Sequence, residues 1–195
     1  MSVPKILVFA GSIRPGSHNA RLAALAVKLL AAGDAEVTHI SLQDYPLPLY
    51  DADLEARSGP PLHAVKLKQL MLQHGGVFIA AGEYNASVTP LLKNTVDWLS
   101  RVREPAEPPL VAFRGRVFAL GAASPGTLGG YRGIMALRQV LELGCGALVL
   151  PEQVAVRDAA HAFDDNDNLR DPAIAHMLEQ VLARLVDAAR YRPAG

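Results

Sequence analysis

Two periodicities alternate along this chain. Short runs rich in Val, Ile and Leu, flanked by Gly or Pro, fall at residues 5–10, 36–40, 77–81, 116–121 and 147–150. Continuous apolar runs of that length read as strands covered on both faces. Between them the apolar residues return at helical spacing. Leu22, Leu25, Ala26, Leu29 and Leu30 make one stripe, and Val88, Leu91, Leu92, Val96 and Leu99 another. The clearest stripe runs through Ile174, Met177, Leu178, Val181, Leu182, Leu185 and Val186. A weaker helix is predicted over 62–73 and a further one over 131–143. The segments 43–61, 103–115 and 151–172, rich in Pro or polar residues, read as loops.

Strand–helix alternation repeated five times predicts an α/β fold, a parallel sheet with helices on both faces. Five such units consume 195 residues, which predicts one doubly wound domain over 1–195. Half of the residues are apolar and 19% are charged, a core-rich balance that excludes a disordered chain. Nineteen Lys plus Arg offset nineteen Asp plus Glu. A net charge of zero argues against a dedicated nucleic-acid or polybasic membrane binder, whose affinity comes from excess cations. It leaves room for a local anion site. A single cysteine, Cys145, excludes an internal disulfide framework. No apolar run reaches the roughly 18 residues that span a bilayer, and no signal segment is visible, so the expectation is cytoplasmic.

In an open parallel sheet, ligands bind beyond the carboxyl ends of the strands. Three loops there are chemically unusual. After the first strand comes GSIRPGSHN, residues 11–19, opening directly into a helix. Glycines let amides converge, Ser12 and Ser17 add hydroxyls, Arg14 adds charge and the helix N-terminus adds its dipole. Gly11 and Gly16 have Walker A spacing, but Ser17 and His18 stand where Lys and Ser or Thr belong, which speaks against a nucleoside triphosphatase. A terminal phosphate monoester fits better. His18 either touches that ligand or is a plain surface histidine.

After the third strand come Glu83, Tyr84 and Asn85, an aromatic and an amide placed to border a planar ligand. Trp98, further on, reads as core. After the fourth strand comes Ser124-Pro125-Gly126-Thr127-Leu128-Gly129-Gly130. A nucleophile elbow is rejected there, because the residue after its serine must donate an N–H and Pro125 has none. The loop reads instead as a third wall of one pocket.

The segments GSIRPGSHN, EYNASVTPLLKNTVDWLSR and SPGTLGGYRG, in this order, resemble the NADPH-dependent FMN reductase family of flavodoxin-like proteins. The resemblance runs from Lys5 to about Val156. It implies a flavodoxin-like sheet in the order 2-1-3-4-5, FMN as cofactor and NADPH or NADH as electron donor. Hydride would pass through flavin N5 to a quinone, free flavin or similar small acceptor, with no catalytic side chain and no metal. Ser12, Arg14, Ser17 and Asn19 would hold the phosphate, Glu83, Tyr84 and Asn85 would border the ring system, and Ser124, Gly126 and Gly129 would close the far side. The family commonly forms homodimers or homotetramers, and the apolar 110–113 segment is compatible with such an interface.

Two departures are visible. Gly82 stands where the family usually has Pro, and Thr89-Pro90 where it often has Pro-Gly. An electron carrier of flavodoxin type, or a non-catalytic flavin-binding module, is the alternative. Such carriers are typically strongly acidic, which a neutral chain is not. The acidic run 164–168 lacks the Gly and Glu of a calcium loop and reads as solvated, with Asp171-Pro172 opening the last helix.

Overall fold

The computed structural model describes residues 3–191. Five parallel strands lie in the order β2-β1-β3-β4-β5. They are β1 (Lys5–Ala10), β2 (Glu36–His39), β3 (Gly76–Ala80), β4 (Val117–Ala123) and β5 (Leu148–Val156). The chain leaves the centre of the sheet at β1, goes to one edge, and returns through β3 towards the other. That reversal opens a crevice at the carboxyl ends of β1 and β3.

The helices are α1 (His18–Ala31), α2 (Ala52–Ser58), α3 (Leu62–Leu72), α4 (Pro90–Arg101), α5 (Val111–Arg114), α6 (Tyr131–Gln139) and α7 (Pro172–Arg190). Alternate residues of the strands feed two cores. Ile6, Val8, Phe78 and Val154 pack under α1 and α7 with Leu22, Leu178 and Leu185. Leu7, Phe9, Val77 and Ile79 pack on the other face with Leu67, Leu92 and Leu137. Trp98 is fully buried in a small third cluster, its indole N–H donating to the Pro48 carbonyl at 2.7 Å.

The helix starts follow from local chemistry. Ser17, Thr89 and Asp171 each accept a first-turn N–H, and Pro90 and Pro172 occupy first-turn positions where no hydrogen bond is lost.

Several expectations change. The 36–40 run is not doubly covered: β2 is an edge strand, and Glu36 and His39 face solvent. The strand predicted at 147–150 continues through Pro151 to Val156. The ladder slips there, with Phe118 opposite Val149 but Leu120 opposite Gln153. A proline, which cannot donate, sits in this irregularity on an edge strand, where that is tolerated. The supposed loop 43–61 contains α2, which buries none of its residues and so shows no periodicity. The helix predicted over 131–143 ends its α-turns at Gln139 and continues as a π-turn over Val140–Gly144. Ala112 and Phe113, in the segment considered for a subunit interface, are buried in this chain's own core. The 164–168 run is a self-bonded turn, Asp164 accepting the N–H groups of Asn166 and Asn168.

Candidate functional site

The crevice beyond β1, β3 and β4 is a cleft of about 140 Å³. Its first wall is the 11–17 loop. Gly11 donates its N–H to the Ala80 carbonyl at 2.8 Å, and a Cβ at Gly11 would lie 2.3 Å from the Ala81 carbonyl oxygen. Only glycine lets the loop start this close to β3. Ser17, buried, takes the Ala20 N–H at 3.1 Å and caps α1. A cap satisfies one of the orphan donors of a first turn and leaves the others facing out. Arg14, exposed at the cleft, makes no ion pair among the described residues, whereas Arg21 is engaged by Asp167 at 2.6 Å. His18 lines the same cleft with its Nδ1 buried and unpartnered. Burial, then the Arg14 and Arg21 charges, push its pKa down, so it stands as the neutral imidazole at pH 7.

Asn19 also makes a long-range bond. Its amide accepts the Ala123 N–H at 2.8 Å and donates to the Ala123 carbonyl at 3.0 Å, as a neighbouring strand would. The side chain thereby fastens α1 to the end of β4, while still lining the cleft.

The second wall follows β3. Gly82 has φ +73°, and Asn85 and Ala86 have φ +50° and +61°. Tyr84 and Ser87 exchange backbone hydrogen bonds at 3.2 and 3.0 Å across the Asn85-Ala86 turn. The Tyr84 N–H is thus consumed inside the loop. Its side chain is largely exposed at the cleft, whereas Asn85 is exposed and lies outside the lining. Thr89 links the first two walls, its hydroxyl donating to the Gly11 carbonyl at 2.8 Å. The Glu83 carboxylate, almost buried, turns to the start of α6 and binds Arg132 and the Gly133 N–H. Burial opposes its charge, but the Gly133 N–H and the Arg132 guanidinium outweigh that and hold its pKa below the usual carboxylate range.

Ser124 and Pro125 form the third wall. Gly126 and Gly129, expected there, lie outside the lining. Gly129, at φ +61°, is pressed against the end of β5, where a Cβ would sit 2.8 Å from the Arg157 nitrogen. Gly82, Thr89, Ala123 and Pro125 line the cleft without having been singled out as site residues. Pro125 and Gly82 adjoin expected site positions; Thr89 is legible as the cap of α4, but its bond to Gly11, 78 residues away, has no local signal.

Two larger hollows contrast with this one. One of about 370 Å³ lies between α1 and α7 over Leu29, Leu182 and Val186. The other, of about 740 Å³, adjoins α4 and the π-turn, and its Lys93–Asp97 pair is internally neutralised. Cys145 borders it, and burial pushes its thiol up to about 11, so it is inert. Neither converges donors as the cleft does.

The cleft therefore combines an unpaired guanidinium, two serine hydroxyls and a capped helix N-terminus on one side with an exposed tyrosine on the other. The sequence comparison agrees with this chemistry: residues 4–161 match the NADPH-dependent FMN reductase family. This chain belongs to that family. An NAD(P)H-dependent FMN reductase of Pseudomonas aeruginosa is 33% identical over 183 residues, 93% of this chain and 92% of the relative. A quinone reductase of Escherichia coli is 37% identical over 138 residues, 70% of this chain and 69% of the relative. In structure the chain is similar to FerB, a flavoenzyme NAD(P)H:(acceptor) oxidoreductase of Paracoccus denitrificans, with a TM-score of 0.78 at 26% identity. That likeness covers 97% of this chain and 99% of FerB. As a family member the chain is an NAD(P)H-dependent oxidoreductase that works through FMN.

The residues present fit that cofactor. A phosphate dianion needs charge-assisted donors, and the 12–18 loop of this FMN reductase relative offers them unspent. A planar ring needs an apolar or aromatic border with few polar groups, and the Gly82–Tyr84 and Ser124–Pro125 walls supply one. Among the described residues no group of His, Cys, Asp and Glu is arranged to hold a metal. No described helix is long and apolar enough to cross a membrane.

Proposed function

We propose that the cleft seats the FMN phosphate in the 12–18 loop and the ring system between the Tyr84 loop and Ser124–Pro125, as one FMN-binding domain. The electron acceptor is a quinone, a free flavin or a similar small molecule, in keeping with the names of the quinone reductase relatives. Arg14 carries this reading: it is a cation beside free first-turn donors, with no carboxylate among the described residues to neutralise it. Arg132 could have served a nicotinamide 2′-phosphate, but it is committed to Glu83.

Bound FMN supplies the capacity to take hydride from NADPH or NADH and pass it on. The chain's own residues bind and orient. Arg14 and the α1 N-terminus neutralise the phosphate, and the Ser12 and Ser17 hydroxyls donate to it. The Asn85 N–H, left free by the turn that consumes the Tyr84 N–H, is the donor available to charge that develops on the ring edge. Tyr84 closes the mouth and excludes water from one side. No side-chain nucleophile is required. The enzyme acts in the cytoplasm as a homodimer or homotetramer.

The test is a visible spectrum of purified protein reconstituted with FMN, before and after anaerobic NADPH. Retained yellow colour that bleaches on reduction is the expected result. A protein that neither binds FMN nor oxidises NAD(P)H refutes the reading. Arg14→Ala removes a charged hydrogen-bond donor worth about 1.5–3 kcal/mol, so FMN should bind about ten- to a hundredfold more weakly.

A further inference from the structure

Helix α6 starts without a cap of its own. Gly130, at its N-cap position, is in the left-handed region and has no side chain to offer. The missing acceptor comes from another part of the chain. Glu83, on the loop after β3, accepts the Gly133 N–H through Oε2 at 3.0 Å and the Arg132 Nε through Oε1 at 3.0 Å. Arg132 Nη2 adds a third bond to Oε1. Carboxylates are favoured at helix N-termini, and three donors on two oxygens hold this one in a single orientation.

The backbone confirms how close the two pieces are. A Cβ at Gly133 would lie 2.5 Å from the Gly82 carbonyl oxygen and 2.9 Å from the Glu83 Cβ. Helix α6 therefore rests on the loop's main chain, with the Glu83 side chain pinned beside it at 8% exposure.

The loop needs such a restraint. Asn85 and Ala86 both take left-handed φ values, which asparagine tolerates but which cost Ala86 about 1–2 kcal/mol. Strained backbone of this kind persists only where its surroundings over-determine it. The Tyr84–Ser87 exchange and the Thr89 bond to Gly11 fix the far end of the loop. Its near end is fixed by Glu83. The resemblance implies that Glu83 borders the ring system; Glu83 lines the cleft, and its carboxylate is bonded to the first turn of α6.

We propose that Glu83 is a positioning residue of the flavin site. By latching the 82–87 loop to α6, it sets the separation between the Tyr84 wall and the Ser124–Pro125 wall, its carboxylate spent on Arg132 and Gly133 rather than on flavin. This rests on the placement of the ring system between those walls. Both walls hang on the latch: the β3–α4 loop through Glu83 itself, and the 124–130 loop because it runs straight into the first turn of α6. Losing the latch therefore acts on the ring half of the ligand and spares the phosphate half.

The experiment compares FMN with riboflavin, which has the ring system and lacks the phosphate, by quenching of flavin fluorescence on the folded full-length protein. Glu83→Gln keeps the shape and removes the charge. Arg132→Gln alters the partner on a half-exposed side chain and serves if Glu83→Gln folds poorly. Each variant should weaken FMN and riboflavin alike, by about tenfold, and the double variant should be no weaker than the worse single one. At saturating flavin, the rate of NADPH-dependent reduction should fall while the KM for NADPH moves little. A purely structural role would lower the thermal midpoint and leave both flavin affinities of the folded protein unchanged, and that result overturns the proposal. Additive losses in the double variant overturn it as well. Arg14→Ala separates the underlying reading: it should cost FMN affinity and spare riboflavin. If it affects neither or both equally, the placement of the phosphate fails, whatever Glu83 does.

Discussion

Single side chains in this protein do work that depends on where the chain comes back to them. His74 is buried with both ring nitrogens engaged, Nδ1 with the Leu70 carbonyl at 2.6 Å and Nε2 with the Thr38 hydroxyl at 2.8 Å. A carbonyl only accepts, so Nδ1 carries the proton and Nε2 accepts from Thr38, a neutral tautomer that ties α3 to edge strand β2. Burial pushes its pKa below the ordinary 6.5. The unfolded chain then binds more protons than the native one below pH 6.5, so stability is full above that value and is lost as pH falls through the folded pKa. His18, shifted in the same direction, adds to the slope. Urea midpoints at pH 7.5 and 5.5 should drop for the natural protein and drop less for His74→Gln. Gly82 makes a second prediction. Its φ of +73° is closed to proline, whose ring holds φ near −65°, so this chain's loop does not follow the path a Pro at that position would set. Gly82→Pro should destabilise the protein by more than about 1 kcal/mol and abolish FMN retention, measured by denaturant titration and flavin content. The local roles of Ser17 and Asp171 were readable as caps because donor and acceptor are neighbours in sequence. The bonds that Asn19 and Thr89 make across the fold were not, since those partners lie 104 and 78 residues away.

Among the elements, those with a buried face announced themselves and those without one did not. Helix α7 carries a clear stripe because Leu178, Val181, Leu182 and Leu185 all enter one core. Helix α2 buries nothing and is held by its Asp51 cap and by Glu55, which pairs with Arg101. The extension of β5 past Pro151 was hidden for another reason: proline argues against a central strand, and only the sheet's edge makes it admissible. The joins between elements also rely on polar groups with no sequence signature. Arg116, buried, donates to the Met71 and Leu72 carbonyls at the end of α3 and to the Val111 carbonyl in α5, each at 2.8 Å. Among the described residues no carboxylate pairs with it, and burial pushes its pKa down. The Met71 carbonyl also accepts the His74 N–H, so Arg116→Leu would strand the Leu72 and Val111 acceptors, each costing about 1–3 kcal/mol when unsatisfied. Chemical denaturation should show a loss above about 2 kcal/mol, and Arg116→Lys, with fewer donors, a smaller one.

At the level of the whole molecule, the sheet's two cores support a polar cleft that stays unfilled by the chain's own groups. Charge balance over the molecule conceals an unneutralised Arg14 at that cleft. A ligand that completes it should stabilise the native state by mass action, about 2.7 kcal/mol at a hundred times its dissociation constant. For a chain of 195 residues that corresponds to a rise in thermal midpoint of roughly 5–10 °C with FMN. Riboflavin at the same concentration should give a smaller rise. Alternation of strands and helices, the parallel sheet and the glycines, hydroxyls and Arg14 of the 11–19 loop were all present in linear order. Periodicity and capping are short-range, and each element declares its buried face within a few residues. Which loop residues face the cleft, and which are spent on one another, was settled only when β1, β3 and β4 came side by side. Asn19 was claimed by Ala123, Arg132 by Glu83 and Gly129 by β5, while Arg14 was left free. Those outcomes depend on which donors and acceptors meet across the fold, and no local pattern in the chain encodes that.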